Sequence, residues 1–100
     1  SVEAAVASVL GAEQRIDLLV HCAGISVAGS IEDVSISEAE RQLATNYLGT
    51  IRVIQAVLPD MRRAGKGRII VVGSIGGLIG LPFIGNYSAS KFALDGMVQA

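Results

Sequence analysis

The chain has 100 residues, of which 51% are hydrophobic and 17% charged, and its formal net charge is −1. This length and composition fit one globular domain at most, and the weak net charge excludes a strong attraction to nucleic acid or to an anionic membrane surface. Cys22 is the only cysteine, so an internal disulfide and a cysteine-rich metal site are excluded. We therefore expect a cytoplasmic protein, without ruling on a targeting segment ahead of Ser1.

The first predicted element is a helix, because apolar residues recur at helical spacing and a glycine follows them as a stop. These residues are Val2, Val6, Val9, Leu10 and Gly11. A short apolar run over 17–22 then predicts a strand. Because this run shows no polar alternation, it is typical of a parallel strand buried on both faces.

The longest predicted helix begins at Ser37, which forms a capping box with Glu40. Gly65 and Gly67 are expected to end it. One apolar stripe recurs every three or four residues along its length and predicts a face packed in the core. The stripe consists of Leu43, Tyr47, Ile51, Ile54, Leu58 and Met61.

The remaining chain predicts a second β-branched strand over 68–73, a glycine-rich loop and a last helix that begins near Tyr87. The uncharged stretch from Ile69 to Gly85 is too short and too rich in glycine to span a membrane. Alternation of helices and strands predicts an α/β fold with parallel strands. We interpret residues 1–100 as the central part of a doubly wound, Rossmann-like sheet domain.

Tyr87 and Lys91 lie four residues apart in this last helix, so their side chains share one face. A tyrosine that works as an acid or base near neutral pH needs about 4 kcal/mol of preferential stabilisation of its anion. A nearby lysine charge is a plausible source of that stabilisation. The pair alone is weak evidence, because Tyr-x-x-x-Lys arises often by chance.

Further polar residues precede this pair in a fixed order. Asn46 lies in the long helix and Ser74 follows the second strand. Together with the Cys22-Ala23-Gly24 segment, the ordered set resembles the short-chain dehydrogenase/reductase family over essentially the whole chain.

The resemblance implies roles for individual residues. Tyr87 is the catalytic acid/base, and Ser74 binds the substrate oxygen. Lys91 stabilises the anionic form of the tyrosine and binds the nicotinamide ribose. The backbone carbonyl of Asn46 holds a water in a proton relay behind the lysine.

The resemblance also implies a cofactor, NAD or NADP, which Cys22, Ala23, Gly24, Tyr87 and Lys91 contact. This chain has His21 and Cys22 where the family usually has two asparagines, so only the backbone approach at Ala23-Gly24 carries over. The glycine-rich phosphate-binding turn and the segments that complete the substrate pocket are expected outside residues 1–100.

The function expected from the resemblance is an NAD(P)-dependent oxidoreductase that interconverts an alcohol and a carbonyl. The visible lining, at Ile75, Gly76, Leu81, Pro82 and Phe83, is apolar and mildly favours a lipid-like, steroid-like or acyl substrate. A homodimer or homotetramer through the two long helices is expected as well. Two alternatives remain open: a non-catalytic structural subunit, and a sugar-nucleotide epimerase or dehydratase.

Overall fold

Helices and strands alternate along the chain in the computed structural model, which describes residues 1–100. The elements are α1 (Val2–Glu13), β1 (Leu18–His21), α2 (Ile36–Leu43), a π turn (Ala44–Leu48), α3 (Gly49–Ala64), β2 (Arg68–Val71), a 3₁₀ turn (Ile75–Gly77) and α4 (Gly85–Gln99). The predicted α/β order is confirmed.

The two strands form a parallel sheet in which Leu18 pairs with Arg68 and His21 pairs with Val71. One backbone hydrogen bond beyond the last pair, from the Val72 N–H to the His21 carbonyl at 2.9 Å, extends the ladder. The carboxyl ends of both strands therefore lie side by side, and the loops that leave them can form one site.

Burial of the sheet differs from the prediction. Leu19 and His21 lie on the covered face of β1, whereas Leu18 and Val20 on the other face are half exposed. Ile70 on β2 is exposed to a similar extent. The expectation that both faces are buried is not met within this chain, because its helices cover only one of them.

The end of α1 also differs from the prediction. The helix continues through Gly11 to Glu13, and Gln14 caps it in the left-handed conformation with φ of 67°. The Gln14 N–H donates to the Leu10 carbonyl at 2.8 Å. A glycine inside a helix costs only about 1 kcal/mol, which the surrounding helix tolerates.

The start of α2 lies two residues before the predicted one. Ser35, not Ser37, is the N-cap: its hydroxyl accepts from the Glu38 N–H at 3.2 Å, and the Glu38 carboxylate accepts from the Ser35 N–H at 3.0 Å. The predicted box of Ser37 and Glu40 was wrong, because two overlapping Ser-x-x-Glu patterns occur here and the earlier one adds two residues to the helix.

The predicted long helix runs from Ile36 to Ala64 without a gap, and its middle part, which contains Asn46, is wound as the π turn. Gly65 ends it in the left-handed conformation, with φ of 67°, as predicted. The last helix, α4, begins at Gly85, two residues before Tyr87, so Tyr87 and Lys91 both lie within its first two turns.

Candidate active site

Tyr87 and Lys91 lie one turn apart on α4, as the spacing predicts. The Lys91 Nζ atom lies 5.8 Å from the centre of the Tyr87 ring. Lys91 is only 5% exposed, and the one protein acceptor of its ammonium group is the Val72 carbonyl, at 3.4 Å. A cation is therefore buried beside the face of the phenol ring.

Ser74 lies next to this pair because the chain turns sharply after β2. The Ser74 hydroxyl caps the 3₁₀ turn and accepts from the Gly76 N–H at 3.1 Å. A Cβ atom added to Gly76 would lie 3.3 Å from the Tyr87 ring and 3.5 Å from the Ser74 Oγ. Gly76 thus leaves room for the ring and the hydroxyl to approach the same point.

Asn46 is fully buried in the π turn, and its side chain holds the segment that leaves β1. Its Oδ1 accepts from the Ile25 N–H and its Nδ2 donates to the Ile25 carbonyl, both at 2.8 Å. The backbone carbonyl of Asn46 accepts the Thr50 hydroxyl at 2.7 Å.

The Cys22-Ala23-Gly24 segment passes close to Asn46 and Lys91. A Cβ atom added to Gly24 would lie 3.4 Å from both the Asn46 Oδ1 and the Lys91 Nζ. Cys22 and Ala23 are exposed. The structure therefore places all the residues singled out in the sequence around one region at the carboxyl ends of the strands.

Sequence reasoning singled out Asn46 but missed Gln42 and Thr50, which extend it into a stripe of polar residues on the buried side of α2, the π turn and α3. Gln42, Asn46 and Thr50, spaced by four residues, are all fully buried. The Gln42 Oε1 accepts from the Val27 N–H at 3.0 Å, while the Thr50 hydroxyl lies 3.4 Å from the Nδ1 of His21. The regular spacing of three polar residues beside an apolar stripe was the available signal.

His21 is the last residue of β1 and is buried. Burial lowers the pKa of its imidazole below 6.5, and the positive charge of Lys91 lowers it further; a hydrogen bond with its own backbone acts in the opposite direction. The imidazole is therefore neutral near pH ~7 and does not add a second positive charge next to Lys91.

The residues around Lys91 fit the ribose of a nicotinamide dinucleotide. An ammonium group has three N–H donors, and in this structure only one of them has an acceptor, the Val72 carbonyl. Next to it, Gly24 presents backbone without a side chain. A buried cation with spare donors beside an open glycine suits a ligand with neighbouring hydroxyl groups.

A cavity of about 300 Å³ lies between the end of β2 and α4. Ser74 and Lys91 form part of its wall, but Tyr87 does not. A substrate bound in this cavity would not place its reacting oxygen against the phenol of Tyr87, because Tyr87 does not line it.

The structure supports neither a metal site nor a membrane-spanning helix. No group of three or more histidine, cysteine, aspartate or glutamate side chains is placed to hold a metal ion. None of the helices combines the length and the apolar character that crossing a membrane requires.

Comparison with known proteins gives a consistent result. The family described as short chain dehydrogenase matches residues 1–100. The chain is 42% identical over 100 residues to 3-ketodihydrosphingosine reductase of Bacteroides thetaiotaomicron, covering all of this chain and 37% of that protein. It is 48% identical over 88 residues to 17-beta-hydroxysteroid dehydrogenase type 1 of Homo sapiens, covering 88% of this chain and 27% of that protein.

The fold matches solved structures as well. The structure of ElxO with NADP bound superposes with a TM-score of 0.91 at 29% identity, over 96% of this chain and 39% of that one. The chain thus spans about a third of the length of the relatives that it matches. The α/β, Rossmann-like fold expected from the sequence is confirmed, and the chain belongs to the short-chain dehydrogenase family.

Proposed function

We propose that the protein containing this chain is an NAD(P)-dependent oxidoreductase that interconverts an alcohol and a carbonyl. The observation that carries this proposal is the buried ammonium group of Lys91 beside the Tyr87 ring, with the Tyr87 ring and the Ser74 hydroxyl both next to Gly76. A phenol with a neighbouring cation can exchange a proton with a substrate oxygen, and a second hydroxyl can orient that oxygen.

Three residues of this chain have distinct tasks in the proposed reaction. Ser74 donates a hydrogen bond to the reacting oxygen and fixes its position. Tyr87 gives a proton to this oxygen when a carbonyl is reduced and removes the proton when an alcohol is oxidised. Lys91 stabilises the phenolate that remains, and its buried position strengthens this effect because little water screens the charge.

Asn46 supports the proton path. Its backbone carbonyl accepts the Thr50 hydroxyl, and we propose that it also holds a water molecule behind Lys91. The proton lost or gained by Tyr87 would then exchange with solvent through Lys91 and this water.

When bound, the nicotinamide cofactor supplies or accepts the hydride. Lys91 would hold its ribose hydroxyls, and the backbone from Cys22 to Gly24 would lie against it. The relative ElxO has been solved with NADP bound. Both NAD and NADP remain candidates for this protein.

The proposed substrate is a lipid-like or steroid-like alcohol or ketone. Ile75, Leu78 and Phe83, in the loops around Ser74 and Tyr87, are all about two-thirds exposed. Exposed apolar side chains next to polar reacting groups suit a large apolar substrate with one oxygen at its reactive end. The relatives are named for a ketodihydrosphingosine and a hydroxysteroid, which belong to this class.

The non-catalytic alternative has less support. A structural subunit gains nothing from a lysine that is 5% exposed with a single weak acceptor. Burial of such a charge costs free energy, so its retention favours a catalytic site.

The test of this proposal is Tyr87→Phe in the protein that contains the chain. Turnover is followed by nicotinamide absorbance with both cofactors and a panel of apolar ketones and alcohols. Removal of the phenol hydroxyl should lower kcat/KM by about 10²-fold or more. Tyr47→Phe is the matched control, because Tyr47 is a half-buried tyrosine of the π turn outside the proposed site. Wild-type turnover in Tyr87→Phe would refute the proposal.

A further inference from the structure

Ser90, on α4 between Tyr87 and Lys91, has a fully buried hydroxyl group with two short hydrogen bonds. It accepts from the Nδ2 of Asn46 at 2.9 Å and donates to the backbone carbonyl of Tyr87 at 2.7 Å. This hydroxyl is therefore the direct link between the π turn and the backbone of α4 at the catalytic tyrosine.

The link completes the hydrogen bonding of Asn46. One hydrogen of its Nδ2 goes to the Ile25 carbonyl and the other to Ser90, while its Oδ1 accepts from the Ile25 N–H. Without Ser90, one buried amide hydrogen would have no partner, and the amide could reorient to find one. The Ile25 backbone, which continues the segment over Lys91, would then lose its fixed position.

We propose that Ser90 is a positioning residue, whose hydroxyl fixes the Asn46 side chain against the backbone of Tyr87 and so holds the Cys22–Ile25 segment over Lys91. The inference rests on the function proposed above for Tyr87 and Lys91. It assigns no contact between Ser90 and the substrate or cofactor. Ser90 acts through Asn46 and through the backbone of Tyr87.

The same helix provides a matched control. Ser88, two residues before Ser90, is also buried, at 4% exposure, but its hydroxyl has no hydrogen-bond partner. Ser88→Ala and Ser90→Ala therefore remove the same atom from similar environments. Only the second substitution breaks hydrogen bonds.

The first experiment measures amide hydrogen exchange by NMR in the cofactor-free protein. Ser90→Ala should speed exchange of the Ile25 amide by about tenfold, the factor expected for the loss of one buried hydrogen bond. Ser88→Ala should leave this rate within about twofold of wild type. Equal exchange of Ile25 in wild type and Ser90→Ala would overturn the inference without reference to any activity.

The second experiment measures the pH dependence of kcat/KM. Ser90→Ala should lower kcat/KM by about tenfold to a hundredfold, because the catalytic groups are displaced. It should also move the limb of the profile that is absent in Tyr87→Phe. A merely structural role would lower the whole curve without moving this limb, and that result would overturn the inference.

Two further variants keep the test decisive if Ser90→Ala does not fold. Ser90→Cys keeps the size of the side chain and weakens both hydrogen bonds, so it should show smaller changes in the same direction. Ser90→Thr retains a hydroxyl that can bond the carbonyl three residues earlier, so it should keep the wild-type pH limb. Wild-type behaviour of Ser90→Cys in exchange and pH profile would contradict the inference.

Tyr87→Phe, measured in parallel, separates this inference from the proposed function. Full activity of Tyr87→Phe refutes the proposed function. An inactive Tyr87→Phe together with an unchanged Ser90→Ala refutes only the positioning role of Ser90.

Discussion

At the scale of single residues, the site combines one buried cation with several buried neutral polar groups. Lys91 is buried next to His21, whose imidazole is kept neutral by burial and by the lysine charge. A charged imidazole would repel the Lys91 ammonium group in a poorly solvated site. Neutrality of His21 therefore protects the charge on which the proposed chemistry of Tyr87 depends.

The lowered pKa of His21 predicts how stability changes with pH. Its folded-state pKa lies below the unfolded value of 6.5, so the unfolded chain binds more protons in the interval between the two. Its contribution to stability is fully present above pH 6.5 and is lost as the pH falls from 6.5 through the folded-state pKa. The pKa of Glu38 is lowered by hydrogen bonds from Ser35. Its contribution to stability is present above its ordinary value of 4.5 and is lost only as the pH falls below that value.

Urea denaturation of wild type and His21→Gln at about pH 7.5 and about pH 5.5 measures this effect. Wild type should lose more free energy of unfolding between these pH values than His21→Gln, because glutamine does not titrate. His21 is the only histidine of the chain, so no other imidazole here changes charge in this range. Equal losses in the two proteins would contradict the assignment.

At the scale of secondary-structure elements, the start of α2 decides between two overlapping capping boxes. Ser35 makes both reciprocal bonds of the box with Glu38, whereas Ser37 lies inside the helix and is exposed. Ser35→Ala should lower the free energy of unfolding by about 1 kcal/mol. Ser37→Ala should change it by less than about 0.5 kcal/mol.

Thermal or urea unfolding of the two variants side by side measures this difference. The substitutions are chemically identical and two residues apart, so any general effect of serine removal cancels. A larger loss in Ser37→Ala would instead favour the box that the sequence first suggested.

Parts of these elements could be predicted from the sequence because they depend on local signals. Gly65 ends α3, and Tyr87 and Lys91 share a face, for reasons of backbone conformation and helical spacing alone. The choice between Ser35 and Ser37 could not be predicted, because both patterns satisfy the same local rule. The role of Ser90 needs the position of Asn46 from another helix, which no local pattern provides.

At the scale of the whole molecule, Asp60 connects the two halves of the α/β unit. Its carboxylate, near the end of α3, accepts from the Ile16 N–H at 3.1 Å and also pairs with Arg63 at 3.2 Å. The Asp60 side chain is only 13% exposed. This residue therefore fixes the loop before β1 to the helix that precedes β2.

Asp60→Ala should lower the free energy of unfolding by about 1.5 to 3 kcal/mol, since a hydrogen bond to a charged group in a mostly buried position is lost. The control is Asp17→Ala, because Asp17 pairs with Arg15 at 2.9 Å with both side chains more than half exposed. That substitution should cost less than about 1 kcal/mol. Similar losses for the two variants in urea denaturation would argue against the connecting role of Asp60.

The overall architecture was predictable to the extent that it follows from the order of elements. Alternating helices and apolar strands imply parallel pairing, and β1 and β2 are parallel. Burial was not predictable in the same way. The sequence predicts Val20 and Ile70 as core residues, yet each is about half exposed. Their burial depends on what covers the sheet, which the local pattern does not specify.

The π turn has a geometric consequence for the helix that contains it. In an α-helix, four residues advance by about 400°, so side chains spaced by four drift around the axis by about 40° at each step. Gln42, Asn46 and Thr50 would therefore diverge along an unbroken α-helix. The wider π turn takes more residues per revolution and counteracts this drift.

This correction of phase lets the three side chains face one extended segment, where they meet Val27, Ile25 and His21 in turn. With regular α-helical winding over the same residues, the three side chains would instead drift by about 40° at each step. The π turn therefore sets the alignment of the whole contact between helix and strand.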